Sequence, residues 1–118
     1  VLFMMGTNDA QRYDIEPSPK DLQMALDRIY EGKPNVAVFV ASVPPINKEL
    51  ANQLTKILNK AISDVVVARS KTGARIYFVD QNGVLTLEDL ADGIHPNAAG
   101  YEKIANTWYQ AICAAAGR

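Results

Sequence analysis

Residues 36–45 of this 118-residue chain read V-A-V-F-V-A-S-V-P-P. The first six, Val36 to Ala41, form a nearly continuous apolar run, which is typical of a strand buried on both faces of a parallel sheet. Two other runs share this character, at Val1 to Met5 and at Arg75 to Val79. The sequence therefore predicts three strands of a buried sheet.

Three helical patterns separate and follow these strands. Their predicted N-caps are Ser18, Asn47 and Asn97, and the glycines that end them are Gly32, Gly73 and Gly117. The apolar face predicted for the second helix consists of Leu50, Leu54, Ile57, Leu58, Ala61, Val65 and Ala68. The alternation β-α-β-α-β-α indicates an α/β fold, with a parallel sheet, right-handed crossovers and helices on its faces.

Polar residues follow each predicted strand, at the sheet edge where α/β proteins hold their reactive groups. A histidine-containing loop after the third strand reaches the same edge. The residues placed there are Asn8, Asp9, Ser42, Asp80, Asp92 and His95.

Composition narrows the function classes. With 12 basic and 13 acidic residues the net charge is −1, which gives little support for nucleic-acid binding. No apolar stretch approaches the roughly 18 residues of a membrane span. The single cysteine, Cys113, lies in an apolar run and is predicted to be a small core residue, which leaves no disulfide framework. We expect neither a metal nor a cofactor.

The only histidine, His95, follows Asp92 by three residues and precedes Pro96. One interpretation is an acid–base pair, because a carboxylate on one ring nitrogen orients a histidine that acts as general base. Gly93 eases the turn that this contact needs. The alternative is an Asx-type turn that leads into a helix and leaves the histidine exposed.

Two further segments each allow a functional and a structural interpretation. Gly6-Thr7-Asn8-Asp9 is either an ordinary turn or a turn that aims the amide of Asn8 at a developing oxyanion. Ser42 lacks the Gly-x-Ser-x-Gly framing of a nucleophile and is interpreted as structural. Asp9 and Asp80 suggest cation binding of the phosphoryl-transfer kind, but no glycine-rich phosphate loop accompanies them.

In combination, Gly6-x-Asn8-Asp9 after a strand and Asp92-x-x-His95-Pro96 before the last helix resemble the SGNH (GDSL-type) hydrolases. The first motif looks like the third block of that family and the second like its fifth. The run Asp-Gly-Ile-His-Pro-Asn-Ala-Ala-Gly-Tyr is most similar to the carbohydrate-esterase branch, which removes acetyl groups from xylan and related polysaccharides. The resemblance implies a three-layer α/β/α sandwich of flavodoxin-like topology.

It also implies roles for individual residues. His95 would be the general base, Asp92 would orient it, Asn8 would donate to the oxyanion, and Gly6 would shape that turn. The Gly-Asp-Ser block that carries the family's nucleophile does not occur in these 118 residues. We therefore expect residues 1–118 to be the C-terminal portion of such a domain, with its N-terminal strands and its serine upstream of Val1.

This absence leaves two hypotheses open. The chain is part of a serine esterase completed by upstream residues, or it is a non-catalytic fragment or partner-dependent half-domain. The expected substrate is an acylated carbohydrate or small ester, and the expected location is extracellular. An uncovered sheet edge also predicts association with the missing segment or with a second copy.

Overall fold

The computed structural model describes residues 1–117 as a three-stranded sheet with helices on both faces. The elements in chain order are β1 (Leu2–Phe3), α1 (Thr7–Gln11), α2 (Ser18–Gly32), β2 (Val38–Ala41), α3 (Glu49–Ser70), β3 (Ile76–Val79), a 3-10 turn (Leu87–Asp89) and α4 (Ala98–Ala115). This confirms the predicted α/β class and the predicted order of strands and helices.

The sheet is parallel, with strand order β1-β2-β3. Side chains alternate across β2. Val38 and Val40 enter a core cluster with residues of α2 and α3, whereas Phe39 and Ala41 enter a second cluster with α4, where Trp108 packs. The helices therefore form two outer layers, as the sequence predicts. Among residues 1–117, no helix has both the length and the hydropathy to cross a bilayer.

The strands are shorter than predicted, and β1 differs most. It lies at one edge of the sheet and pairs only with β2, through Leu2 opposite Phe39 and Phe3 opposite Val40. Met4 and Met5 follow the strand and, like Val1 and Leu2, are exposed. The apolar run at residues 1–5 therefore contributes mainly Phe3 to the core of the described residues.

Two predicted helix caps are wrong. Ser18 is the first residue of α2, after Pro17, and its hydroxyl donates to Asp9 Oδ2 at 2.8 Å. The cap of α3 is Lys48, whose carbonyl accepts from Asn52 N at 2.8 Å, and the backbone N–H of the predicted cap, Asn47, donates to the carbonyl of Gly93. The third cap is confirmed, since the side chain of Asn97 accepts from Gly100 N at 2.9 Å.

The apolar face of α3 is rotated from its predicted position. Its buried residues are Ala51, Thr55, Leu58, Ile62 and Val66, whereas Leu50 and Ile57 are 51% and 60% exposed. Thr55 is tolerated inside because its hydroxyl donates to the carbonyl of Ala51 at 2.9 Å. The assignment of Cys113 to the core is also wrong, because this residue is only half-buried.

Candidate active site

The loop between β3 and α4 is anchored by Asp89, a buried carboxylate. Its Oδ2 accepts from Thr86 N at 2.9 Å and from Lys103 Nζ at 2.8 Å, so one oxygen ties the start of the loop to α4. The hydrogen bond from Lys103, and then that from Thr86, lowers the pKa of Asp89. The backbone carbonyl of Asp89 accepts from Asn97 N at 2.7 Å, which fixes the other end of the loop.

Between these anchors the chain folds back on itself. Leu90 and Pro96 form an antiparallel bridge, and Ala91 N donates to the carbonyl of His95 at 2.7 Å. Gly93 turns the chain with φ +83°, a conformation that favours glycine. Its carbonyl accepts from Asn47 N at 2.7 Å, so the loop is also held by the segment that follows β2.

Asp92 and His95 are in direct contact within this closed loop. Nδ1 of His95 lies 2.6 Å from Oδ2 of Asp92. The other carboxylate oxygen, Oδ1, accepts from His95 N at 2.7 Å and from Ile94 N at 3.0 Å. One oxygen thus makes the Asx-type turn and the other contacts the imidazole, so the turn and the contact that an acid–base pair requires occur together.

These contacts define the charge and the tautomer of the pair. The hydrogen bond from the His95 backbone, followed by that from its imidazole, lowers the pKa of Asp92 to about 2. An ionised carboxylate only accepts hydrogen bonds, so Nδ1 of His95 carries the proton in the contact. Nε2 is then the ring nitrogen that can take a proton from another group. The His95 side chain is 70% exposed, so a reactant can reach it.

The segment at Gly6 and Asn8 is not the simple turn that the sequence suggests. Gly6 is the N-cap of the five-residue helix α1 and has φ +121°. A Cβ at this position would lie 2.7 Å from Leu58 Cδ2 and 3.1 Å from Val43 Cγ2, so only glycine allows α3 to pack this closely. Asn8 is exposed in the first turn of α1 and lines an open cavity of about 370 Å³.

A small apolar cluster joins α1 to the loop of Asp92 and His95. Ala10 of α1 packs with Ile46 and Ala51, and Ile94 packs against the same cluster from the loop. Ala10 lies two residues after Asn8, and Ile94 lies directly before His95. The fold therefore brings the Asn8 helix and the histidine loop to one region. An oxyanion role for Asn8 and Gly6, and a catalytic role for Asp92 and His95, stay predictions.

Ser42 is structural, as predicted. It is 1% exposed, its hydroxyl donates to Asp80 Oδ1 at 2.9 Å, and Ser42 Oγ itself accepts from Asn82 N at 2.9 Å. Asp80 Oδ1 also accepts from Gly83 N, and Asp9 accepts from the hydroxyl of Ser18. Both carboxylates suggested for cation binding thus accept hydrogen bonds from the chain and stabilise its conformation at the sheet edge.

Sequence reasoning missed the asparagines that support the segment after β2. Pro44 and Pro45 have no backbone N–H, and the residues on either side of them are buried. Asn59 accepts from Val43 N at 2.6 Å and donates to its carbonyl at 3.0 Å. Asn52, seven residues earlier on α3, accepts from Ile46 N at 3.0 Å. The available signal was two asparagines on one helix face opposite a buried Pro-Pro segment.

Comparison with known proteins identifies one matching family and several similar proteins. The family described as GDSL-like Lipase/Acylhydrolase matches residues 1–103, which include the loop of Asp92 and His95. The "Multidomain esterase" of Ruminococcus flavefaciens is 31% identical, over 95% of this chain and 15% of its own length.

Two solved structures are similar in fold. The Clostridium thermocellum family 3 carbohydrate esterase superposes with a TM-score of 0.78 at 30% identity, covering 94% of this chain and 54% of that one. A family 3 carbohydrate esterase from Talaromyces cellulolyticus gives 0.85 at 23% identity, covering 100% and 59%. The chain thus spans little more than half the length of these structures. Their shared architecture confirms the predicted hydrolase fold.

Proposed function

Because this chain belongs to the GDSL-like lipase/acylhydrolase family, we propose that it supplies the acid–base pair of a serine esterase. The substrate is an acyl ester, specifically an acetyl ester, of a carbohydrate. One observation carries the proposal: the 2.6 Å contact between His95 Nδ1 and Asp92 Oδ2, in a loop fixed at both ends. The 30% identity to a carbohydrate esterase supports the substrate class.

The chemistry follows from the pair. Nε2 of His95 takes the proton of a serine hydroxyl as that oxygen bonds to the ester carbonyl carbon, and Asp92 stabilises the imidazolium that forms. The amide of Asn8 donates to the oxygen that becomes negative, a contribution of about 3 kcal/mol to the barrier for one such donor. The imidazolium returns the proton to the departing sugar hydroxyl. Water then releases the acyl group by the same steps.

The nucleophile is proposed to come from residues outside these 118. Ser42 and Ser18 are 1% and 5% exposed, and both hydroxyls donate to carboxylates. The other two serines, Ser63 and Ser70, lie in α3, and the hydroxyl of Ser70 donates to the carbonyl of Val67 within that helix. A serine of this chain is therefore a poor partner for His95.

We place the missing serine on a strand that pairs with the open edge of β1. Among residues 1–117 no strand pairs with this edge, which lies beside exposed apolar residues, among them Leu2 at 50% and Met4 at 43% exposure. Such an edge favours pairing with another strand. The alternative occupant is a second copy of the chain, which would give a dimer that depends on concentration. By analogy with carbohydrate esterases, we propose that the enzyme works outside the cell.

The test is acetate release from acetylated xylan by the full-length protein. His95→Ala and Asp92→Asn are expected to lower kcat by on the order of 10²–10⁴-fold. Asp64→Asn is a matched control, because this carboxylate of α3 is also exposed and also makes a 2.6 Å contact, with Lys60 Nζ. Unchanged activity of His95→Ala would rule out its role as base. Inactivity of the wild-type full-length protein would favour the non-catalytic alternative.

A further inference from the structure

We propose that Tyr13 and Lys48 form a sugar-binding subsite beside the Asp92–His95 loop, which holds the carbohydrate part of the substrate. The inference deepens the proposed function and rests on it for the identity of the ligand. Three features of the structure carry it: a strained and exposed tyrosine, a lysine whose ammonium group lies over its ring, and a cavity that continues from the lysine to the loop.

Tyr13 occupies a backbone conformation that side chains rarely adopt. It follows the end of α1 with φ +60°. Among residues 1–117 it is the one non-glycine residue with a positive φ. Glycine or asparagine is the usual choice at such a helix end. Tyr13 gains little burial in exchange, because 44% of its surface is exposed. A strained residue whose side chain does not fill the core is a candidate for binding.

The ammonium group of Lys48 lies over the ring of Tyr13. The ammonium nitrogen lies 4.9 Å from the ring centroid, within the range of a cation–π contact. Lys48 is also the N-cap residue of α3, so its backbone is anchored by a long helix. The pair therefore presents a partly exposed aromatic ring with a cation over one of its faces.

From Lys48 a cavity of about 260 Å³ leads to the loop. Its wall includes Gln11, Asn47, Lys48, Asp92 and Ile94. The amides and the ammonium group can donate to sugar hydroxyls, and Asp92 can accept from one. The ring of Tyr13 lies outside this wall and adjoins it through the ammonium group of Lys48. An aromatic ring next to a polar cavity suits a pyranose, which has an apolar face and an equatorial belt of hydroxyls. Since Asp92 belongs both to the cavity wall and to the His95 contact, a sugar bound here would lie beside the acid–base pair, on the side of Asp92 and Nδ1.

The test compares two acetyl esters with the full-length enzyme. One is an acetylated xylo-oligosaccharide, which would reach the subsite, and the other is p-nitrophenyl acetate, which has no sugar. Tyr13→Ala is expected to raise KM for the oligosaccharide by about tenfold and to change kcat/KM for p-nitrophenyl acetate by less than about twofold. Tyr13→Phe keeps the ring and should behave as wild type. Tyr109→Ala is the matched control, because Tyr109 is 68% exposed on α4.

Equal effects of Tyr13→Ala on both esters, or no effect on either, would overturn the subsite. Tyr13→Gly guards against misfolding, because it relieves the positive φ: its Tm should equal or exceed that of wild type while its KM for the oligosaccharide rises. Failure of the proposed function looks different, since wild type would then hydrolyse neither ester. In that case, calorimetric binding of unacetylated xylohexaose by wild type but not by Tyr13→Ala would still support the subsite, and equal binding by both would overturn it.

Discussion

The contact between Gly100 and the Asp92–His95 loop makes a sharp prediction for Gly100→Ala. A Cβ on Gly100 would lie 2.5 Å from the carbonyl oxygen of Asp89 and 2.9 Å from Pro96 Cβ. The first neighbour is backbone, and its oxygen already accepts from Asn97 N, so it cannot yield without moving the loop. Overpacking of this kind costs about 1–3 kcal/mol, and the better helix propensity of alanine returns about 1 kcal/mol.

Because the clash is with backbone, we expect a net loss of about 1–2 kcal/mol in the free energy of unfolding, or about 4–8 °C in Tm. Gly32→Ala is the matched control, because Gly32 is the last residue of helix α2 and a Cβ there would have no neighbour within 4 Å. That variant should gain about 0.4–1 kcal/mol. Urea unfolding followed by the fluorescence of Trp108, the only tryptophan, measures both. Equal stabilisation by the two substitutions would refute the tight contact.

Three further variants test the core, the β2 segment and the pair. Leu58→Ala, at a residue 1% exposed, should lose about 2–5 kcal/mol in urea unfolding, whereas Ile57→Ala, 60% exposed, should change stability by less than about 0.5 kcal/mol. Asn59→Ala leaves the N–H of Val43 without its amide partner, while the Val43 carbonyl still accepts from Asn82 Nδ2 at 2.9 Å, and it should cost about 1–3 kcal/mol. For Asp92, the folded-state pKa of about 2 lies below 3.8, so the carboxylate stabilises the fold above about pH 4 and loses this effect as the pH falls. The difference in urea midpoint between wild type and Asp92→Asn should therefore be present at pH 7 and shrink towards pH 2.

Each of these has an outcome that contradicts its argument. Unfolding of Leu58→Ala and Ile57→Ala at the same urea concentration would contradict the argument from burial. Asn106→Ala replaces an exposed asparagine on α4. An equal loss in the free energy of unfolding for Asn59→Ala and Asn106→Ala would contradict the role of the Asn59 amide. For Asp92→Asn, a difference in midpoint that grows on acidification would show that the sign of the pKa shift is wrong.

The fold was predictable because apolar runs and helix signals agree with one another. The non-alternating run at residues 36–41 indicates burial on both faces, and the structure covers Val38 and Phe39 from opposite sides. The cap at Asn97 was predictable because both partners of its hydrogen bond, Asn97 and Gly100, lie within one turn of the chain. The caps of α2 and α3 were not, because the groups that compete for Ser18 and Asn47 lie elsewhere in the chain, on Asp9 and Gly93.

The candidate site was predictable only in part. The spacing of Asp92 and His95 indicates that they can touch, but it could not show that one carboxylate serves both the turn and the imidazole. The helix α1 was missed, because five residues carry too little periodicity to be distinguished from a turn. The strained Tyr13 and its contact with Lys48 depend on tertiary packing across 35 positions of sequence, for which no local pattern exists.

The central claim is that the Asp92–His95 pair serves a serine outside these 118 residues. A fluorophosphonate probe, which modifies an activated serine, tests it directly when the full-length protein is digested and the labelled peptide is sequenced by mass spectrometry. We predict a single labelled serine outside residues 1–118, with labelling abolished by His95→Ala and preserved in Asp64→Asn. A label on Ser42 or on any other serine of this chain, or labelling that persists without His95, would contradict the claim.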